Sequence, residues 1–217
     1  LVVMTRNGGY ARACNAGAEV ARSHLLAMLN SDVIPHTPGW AQGLASKMGG
    51  PQEVAAVGPK LLFEDGSIQH AGMYFAPNES GKWLNYHYHK GMPDQYRDAN
   101  VERSVPGVTG ACMMLHRDAF NEVGGFTEDY VIGDYEDSDL CLKIRQADFD
   151  IKYIPDVSLY HFERKSISTH ADYMRGVAAE YNAWLHASRW RDMLEDIHAN
   201  GVPQERSPSK TKHGAAA

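Results

Sequence analysis

Basic residues are in deficit: 21 Lys and Arg against 27 Asp and Glu leave a net charge of −6 over 217 residues. A chain that neutralises a phosphate backbone needs a cationic surplus, so nucleic acid is not an expected partner. Cysteine is scarce as well. Cys14, Cys112 and Cys141 are odd in number, far apart and without any C-x-x-C, a pattern that suggests neither a disulfide framework nor a zinc cluster and suits a reducing compartment. No apolar run approaches the roughly 20 residues of a membrane-crossing helix, and the mean hydropathy is −0.43. There are no internal repeats. With 43% hydrophobic and 22% charged residues, the composition is that of a folded globular chain and excludes a disordered, collagenous or coiled-coil body. The chain opens on Leu1-Val2-Val3-Met4 with no initiator Met and no charged leader, so this short apolar run reads as a strand met mid-fold, with further sequence expected upstream.

What is present alternates between strand and helix patterns. Thr5-Arg6-Asn7-Gly8-Gly9 is a turn cluster, after which Ala11, Cys14, Ala18 and Ala21 recur at helical spacing. Leu25–Leu29 is an apolar run of five, short enough for a strand buried on both faces, and it stops at Asn30-Ser31-Asp32. Polar groups at the carboxyl end of a buried strand occupy the place where open α/β sheets bind ligands. Pro38, Trp40, Leu44 and Met48 predict a helix closed by Gly49-Gly50-Pro51. Strands are expected at 55–58 and 60–63, with a turn at Glu64-Asp65-Gly66. From Pro77 to Pro106 periodicity vanishes, and a long functional loop rich in Tyr and His is expected. A strand with Gly110-Ala111-Cys112 inside it follows at 108–115, where something must approach the backbone closely. Then come a short helix at 117–123, an acidic loop, a helix bearing Leu140 and Ile144, and strand runs at 151–154 and 157–160. Beyond Ser166 one long helix is predicted, with Tyr173, Val177, Tyr181, Trp184 and Leu185 on a single face. These patterns make a mixed α/β protein.

Three features can carry chemistry. Six of the 27 acids, Glu128, Asp129, Asp134, Glu136, Asp137 and Asp139, fall within twelve residues at the start of a helix, with no basic residue among them. Such a cluster can bind a cation, orient hydroxyls or act as a base, and it can equally be N-terminal capping plus a solvated turn. Asp32 at a strand end suits a hard divalent cation that also takes diphosphate oxygens, the plain alternative being a capped turn. His161 follows an apolar run and is either a hydrogen-bonded structural residue or a metal ligand. His87 and His89, two apart on an extended segment, can chelate zinc, but no Cys or acid accompanies them; contact of this aromatic loop with a polyhydroxylated substrate is preferred.

Taken in order, eight blocks carry a resemblance: Asn7-x-Gly9 with Gly17; Asn30-Ser31-Asp32; Pro38-Gly39-Trp40; Val57-Gly58-Pro59-Lys60-Leu61; Asp65-Gly66-x2-Gln69-His70-Ala71-Gly72; Gly110-Ala111-Cys112; Val123-Gly124-Gly125-Phe126; and Tyr135-Glu136-Asp137-x-Asp139-Leu140-Cys141. Over Leu1 to Glu163 the chain resembles family 2 glycosyltransferases, most closely the rhamnosyltransferase-like members. The resemblance implies a GT-A fold: a Rossmann-like, mixed, mainly parallel sheet flanked by helices. The resemblance also leads one to expect that this fold is incomplete at its amino terminus, because the family normally begins with a further βαβ segment that reads the nucleobase. It implies a nucleotide-diphosphate sugar donor, a glycan or lipid-linked glycan acceptor from cell-surface polysaccharide synthesis, a divalent cation (Mn2+ or Mg2+) and inversion at the anomeric carbon. The D-x-D motif of the family stands here as Asn30-Ser31-Asp32, so Asp32 is the implied metal ligand, joined by His161, while Asn7, Gly9, Asn30 and Asp32 face the donor. Asp137 matches the general base, Glu136 orients the acceptor, and Gly110 and Asp139 lie on the acceptor side.

The organisation expected from this reading is a transferase domain over 1–165, a helical extension over 166–203 and a disordered tail over 204–217, on the cytoplasmic side, including the inner face of a membrane. Two rivals remain. One is a non-catalytic sugar-binding or scaffolding module of the same ancestry, favoured by Asn30 in place of an acid. The other is a nucleotidyltransferase, which would need a richer phosphate loop than Arg6-Asn7-Gly8-Gly9.

Overall fold

The computed structural model describes residues 1–49, 53–131, 133–162 and 176–204. Leu1 to Met4 form no strand, and Leu1 and Val3 are exposed. Helix α1 (Gly9–Val20) starts where Asn7 Oδ1 accepts the Gly9 N–H at 3.0 Å, a side-chain cap of a first-turn donor. Then follow β1 (Leu25–Leu29), β2 (Val33–Pro35), α2 (Trp40–Ala45), β3 (Val54–Leu62), β4 (Ile68–His70), β5 (Met73–Pro77), β6 (Trp83–His87), a 3-10 turn at Arg97–Ala99, β7 (Arg103–Ser104) and β8 (Cys112–His116). Helices α3 (Arg117–Glu122) and α4 (Glu136–Gln146), strand β9 (Asp150–His161) and helix α5 (Val177–Asn200) complete the order.

The main sheet runs β1-β8-β3-β9-β2, with β4 on β3 and β7 on β9. The expectation of a mainly parallel sheet is corrected here: among the described residues only β3 and β9 pair in parallel, and every other pairing is antiparallel. Two-faced burial falls on β3 rather than on β1. All nine residues of β3 are buried because β8 and β9 flank it and both its faces are covered, whereas β1 is the sheet's outer strand and alternates, leaving Leu29 43% exposed. One face packs Ala11 of α1, Phe120 of α3 and Leu140 and Ile144 of α4; the other packs Leu44 and Trp40 of α2. Pro59 is tolerated in the central strand because the β3–β9 register shifts immediately after it, so its missing N–H falls at a bulge.

Residues 77–106 are not one long loop. β5 and β6 pair as a hairpin with Met73 opposite His87 and Pro77 opposite Trp83. Its inner face, Met73, Phe75 and Trp83, joins Leu142 of α4 and Trp190, Leu194 and Ile197 of α5 in a third apolar cluster. Helix α5 therefore packs on the body through Trp190, Leu194 and Ile197, and of the stripe predicted on a single face, Val177, Tyr181 and Trp184 lie away from that contact, 86%, 39% and 62% exposed. Tyr173 and most of the 204–217 tail lie outside the described residues. No helix among the described residues is long and apolar enough to cross a membrane.

Candidate active site

Two groups of polar side chains meet at one end of the sheet. The first lies where β1 runs into the turn before β2. The antiparallel register sets Val33 opposite His161, and Asp32 O accepts the Phe162 N–H at 3.0 Å, so Asp32 and His161 are brought side by side by strand pairing alone. Their nearest atoms, His161 Nε2 and Asp32 Oδ1, are 3.5 Å apart. Gln69 decides what that nitrogen carries. Its Nε2 donates to His161 O at 3.2 Å, so its Oε1, 2.7 Å from His161 Nδ1, acts as acceptor and Nδ1 bears the proton. In the neutral ring the lone pair of Nε2 then faces the Asp32 carboxylate. Two acceptors opposed in this way are stabilised by a cation bound to both, and a carboxylate with an oriented imidazole suits a divalent metal that leaves its other positions to phosphate oxygens and water. The pair fits such an ion. Among the described residues, no group of three or more His, Cys, Asp and Glu converges on one point.

The second group opens α4. Asp134 and Tyr135, with φ of 71° and 73°, both sit in the left-handed region just before Glu136, a strained turn of the kind found at functional sites. Asp137 Oδ2 accepts the Gly110 N–H at 2.9 Å and Oδ1 accepts the Ser138 N–H at 2.8 Å. Burial pushes the Asp137 carboxyl above its ordinary value, opposed by the Gly110 and Ser138 backbone bonds. Glu136 is 7% exposed, and its Oε2 finds no hydrogen-bond partner among the described residues. Burial, and then the charge of Asp137, raise Glu136 to about 8. Burial and the repulsion between the two neighbouring carboxyls thus both favour protonation of the pair.

Gly110 joins the two groups. Its carbonyl accepts the Tyr10 hydroxyl at 2.6 Å, its N–H serves Asp137, and a Cβ there would stand 2.7 Å from the Tyr10 oxygen, so the close approach expected at this glycine comes from within the chain. The adjacent Ala111 O accepts the Asn30 N–H at 2.9 Å, which ties the Asn30-Ser31-Asp32 turn to the residue that holds Asp137.

Asp139 belongs elsewhere, which corrects its assignment to the acceptor side. It is 1% exposed and accepts Thr127 Oγ1 at 2.5 Å, Tyr130 OH at 3.0 Å and Trp190 Nε1 at 2.8 Å, with Lys143 Nζ 3.6 Å away. Helical geometry turns it some 200° from Asp137, into the seam between α4 and α5. Asn7 is exposed and caps α1, and Gly9, with φ of 83°, forms the first residue of that helix. His87 is bonded to His70, Nδ1 to Nδ1 at 2.6 Å, while His89 lies against Tyr88 and Tyr96, so the two histidines serve different neighbours.

Several contributors carried no signal in the chain order. Ser138 Oγ donates to Tyr135 O at 2.9 Å and receives Asn85 Nδ2 at 2.8 Å and His186 Nε2 at 3.0 Å, fixing the start of α4 to the hairpin and to α5. Asn182, fully buried, binds the backbone of Val131 and Gly133 and so holds the acidic loop. Apart from Tyr135, these partners are tens of residues away in sequence, and no spacing rule links them.

Two family profiles match the chain: Glycosyl transferase family 2 over residues 1–124, and N-terminal domain of galactosyltransferase over residues 90–165. The O-antigen biosynthesis protein RfbC of Myxococcus xanthus is 31% identical over 176 residues, covering 79% of this chain and 14% of that protein. An N-acetylglucosaminyl-diphospho-decaprenol L-rhamnosyltransferase of Mycobacterium tuberculosis is 32% identical over 99 residues, 43% of this chain and 31% of that protein. The chain thus spans less than a third of the length of either curated relative. Among solved structures, GalNAc-T7 with UDP, GalNAc and Mn2+ superposes with a TM-score of 0.64 at 16% identity, covering 94% of this chain and 40% of that one. That likeness shows the GT-A fold. With the first profile matched over residues 1–124, more than half of its length, the chain belongs to glycosyl transferase family 2.

Proposed function

We propose that this chain transfers a sugar from a nucleotide-diphosphate donor to a hydroxyl of a glycan or lipid-linked glycan, with inversion and with the help of a divalent cation, Mn2+ or Mg2+. The observation that carries the reading is the Asp32–His161 pair set beside Asp137 through the Asn30–Ala111 and Gly110–Asp137 bonds. Family membership and a fold shared with a protein solved with UDP and Mn2+ support it. Asp32 and His161 Nε2 would hold the cation, which neutralises charge on the departing diphosphate. Asn30 lies on the same turn and offers its amide to the donor; Asn7 and Gly9 are assigned to the donor's other side.

Asp137 takes the proton of the acceptor hydroxyl. Its backbone bonds leave the carboxylate oriented, and its raised basicity brings it closer to the value a base needs at neutral pH. Protonated Glu136 donates a hydrogen bond to the acceptor and orients it. A base on one side of the sugar and the leaving group's partners on the other make a single displacement, which inverts the anomeric centre. The working unit in this reading is 1–165, with 166–203 as a helical extension and 204–217 as a tail, acting on the cytoplasmic side where nucleotide sugars and lipid-linked acceptors meet.

The test is release of nucleoside diphosphate from a panel of nucleotide sugars in the presence of acceptor. Release should require Mn2+ or Mg2+ and acceptor, and Asp32→Ala should abolish the gain that metal gives. Equal donor affinity in chelator and in metal would refute the role of Asp32, and binding of donor without acceptor-dependent release would favour the non-catalytic module.

A further inference from the structure

Helix α5 turns a row of polar side chains onto the acidic loop that precedes the carboxylates. Asn182, His186 and Arg189 stand at i, i+4 and i+7 and share one face. Arg189 Nη2 lies 2.5 Å from Asp129 Oδ2, and the His186 ring lies 5.0 Å from that of Tyr135. Asn182 makes the closest hold. It is fully buried; its Oδ1 accepts the Val131 N–H at 2.9 Å, and its Nδ2 donates to Val131 O at 3.0 Å and to Gly133 O at 2.7 Å. An amide that meets both the N–H and the C=O of one residue stands in for a neighbouring strand, and the third bond carries that hold to Gly133.

Gly133 lies under Glu136. A Cβ on it would stand 3.6 Å from Glu136 Oε1, so the carboxyl rests on this glycine in ordinary contact. Between the two, Asp134 and Tyr135 take the left-handed conformation, which residues with a Cβ keep only where their surroundings impose it. Asn182 fixes the chain immediately before that turn, and Ser138 Oγ, bonded to Tyr135 O, fixes it immediately after. We propose that Asn182 is a positioning residue: through Gly133 it maintains the strained turn and keeps the Glu136 carboxyl buried in the place from which it orients the acceptor. Helix α5, outside the 1–165 unit, thereby completes that unit's site. The acceptor's part in this rests on the transferase reading above; the hold on Glu136 does not. Glu136 also faces Asp134, Asp137, Asp139 and, on α1, Tyr10 and Cys14, while α5 brings His186 and Arg189 to the same loop. Asn182 carries no charge, so removing it changes Glu136 through burial and not through any of these groups.

Carbon-13 NMR on the full chain, labelled at its glutamate carboxyls and with the Glu136 signal assigned by its loss in Glu136→Gln, tests the hold without any substrate. In the parent, Glu136 should titrate at about 8. In Asn182→Ala it should titrate nearer the ordinary glutamate value of about 4.3, because the loosened turn lets water reach it. Trp190→Phe, which loosens the same helix by taking the indole N–H from Asp139, should lower the melting temperature and leave that titration in place. Asn182→Ser carries the same expectation as Asn182→Ala and serves where the alanine variant does not fold. Given UDP-, GDP- and dTDP-sugars with Mn2+, and chitotetraose or a rhamnose disaccharide as acceptor, Asn182→Ala should lower kcat/KM for the acceptor about 10- to 100-fold. Nucleotide affinity should be unchanged, and the substitution should add nothing to the loss in Glu136→Ala. A folded Asn182 variant whose Glu136 titrates like the parent's would overturn the hold, and acceptor kinetics like the parent's would overturn its role in positioning. A titration moved as expected in a protein whose parent shows no acceptor-dependent release would remove the transferase reading and leave the hold standing.

Discussion

Asp139 offers the sharpest separation between holding the site and performing its chemistry. Replacing it with Ala deletes the acceptor of three side-chain donors, Thr127, Tyr130 and Trp190, in a place 1% exposed, and leaves Lys143 without its 3.6 Å counter-charge. An unsatisfied buried donor costs about 1–3 kcal/mol, and breaking a buried charged network about 3–5 kcal/mol in all, since the individual losses are not additive. For a chain of this size that is a fall in melting temperature of about 6–20 °C. Asp139→Asn keeps Oδ1, which serves Tyr130 and Trp190, and should cost less, about 1–3 kcal/mol, chiefly through Lys143 and Thr127. Calorimetry on both variants, with nucleoside diphosphate release measured well below their melting points, gives the comparison. The folded fraction of Asp139→Asn should turn over within a few-fold of the parent. If Asp139→Asn melts like the parent and is inactive, the residue belongs to the acceptor site and the reasoning fails.

Asp137→Asn should do the converse, lowering kcat by about 100- to 10,000-fold with nucleotide affinity little changed; a loss of only a few-fold would move the base to another carboxylate. Glu136→Gln mimics the protonated side chain, so it should erase an alkaline fall in activity near pH 8, the value to which burial raises Glu136, and a profile unaltered by the change would refute the hydrogen-bond role. Stability should fall on acidification through a different group. Burial lowers His186 to about 4, so the folded state keeps it neutral while the unfolded chain takes a proton below its ordinary value near 6.5. The unfolded state then binds more protons between pH 6.5 and 4, and stability declines across that window; His186→Gln should flatten the decline seen in melting temperature against pH.

Much of the framework was legible because it is local. The spacing of Ala11, Cys14 and Ala18 marks α1, Leu25–Leu29 marks β1, and the Asn30-Ser31-Asp32 turn follows from where the apolar run stops. Glu136 and Asp137 open α4 as expected from the acids at its start. The eight ordered blocks carried the family, since each is a short stretch whose spacing survives in the sequence alone.

What the sequence left open depends on contacts between distant segments. Strand direction was one such matter: an apolar run has the same alternation in either direction, and only the register of β9 against β2 and β3 fixes it. That same register puts His161 beside Asp32, and Gln69, from yet another strand, sets which imidazole nitrogen faces the carboxylate. Asp137 and Asp139 are chemically alike and two positions apart, but the helix turns one toward Gly110 and the other onto Trp190 of α5, a partner 51 residues on. Residue type and spacing determined which groups could act; burial and long-range hydrogen bonds, which exist only once the chain has folded, decided that Asp137 is held by the Gly110 N–H and Asp139 is locked in the seam between α4 and α5.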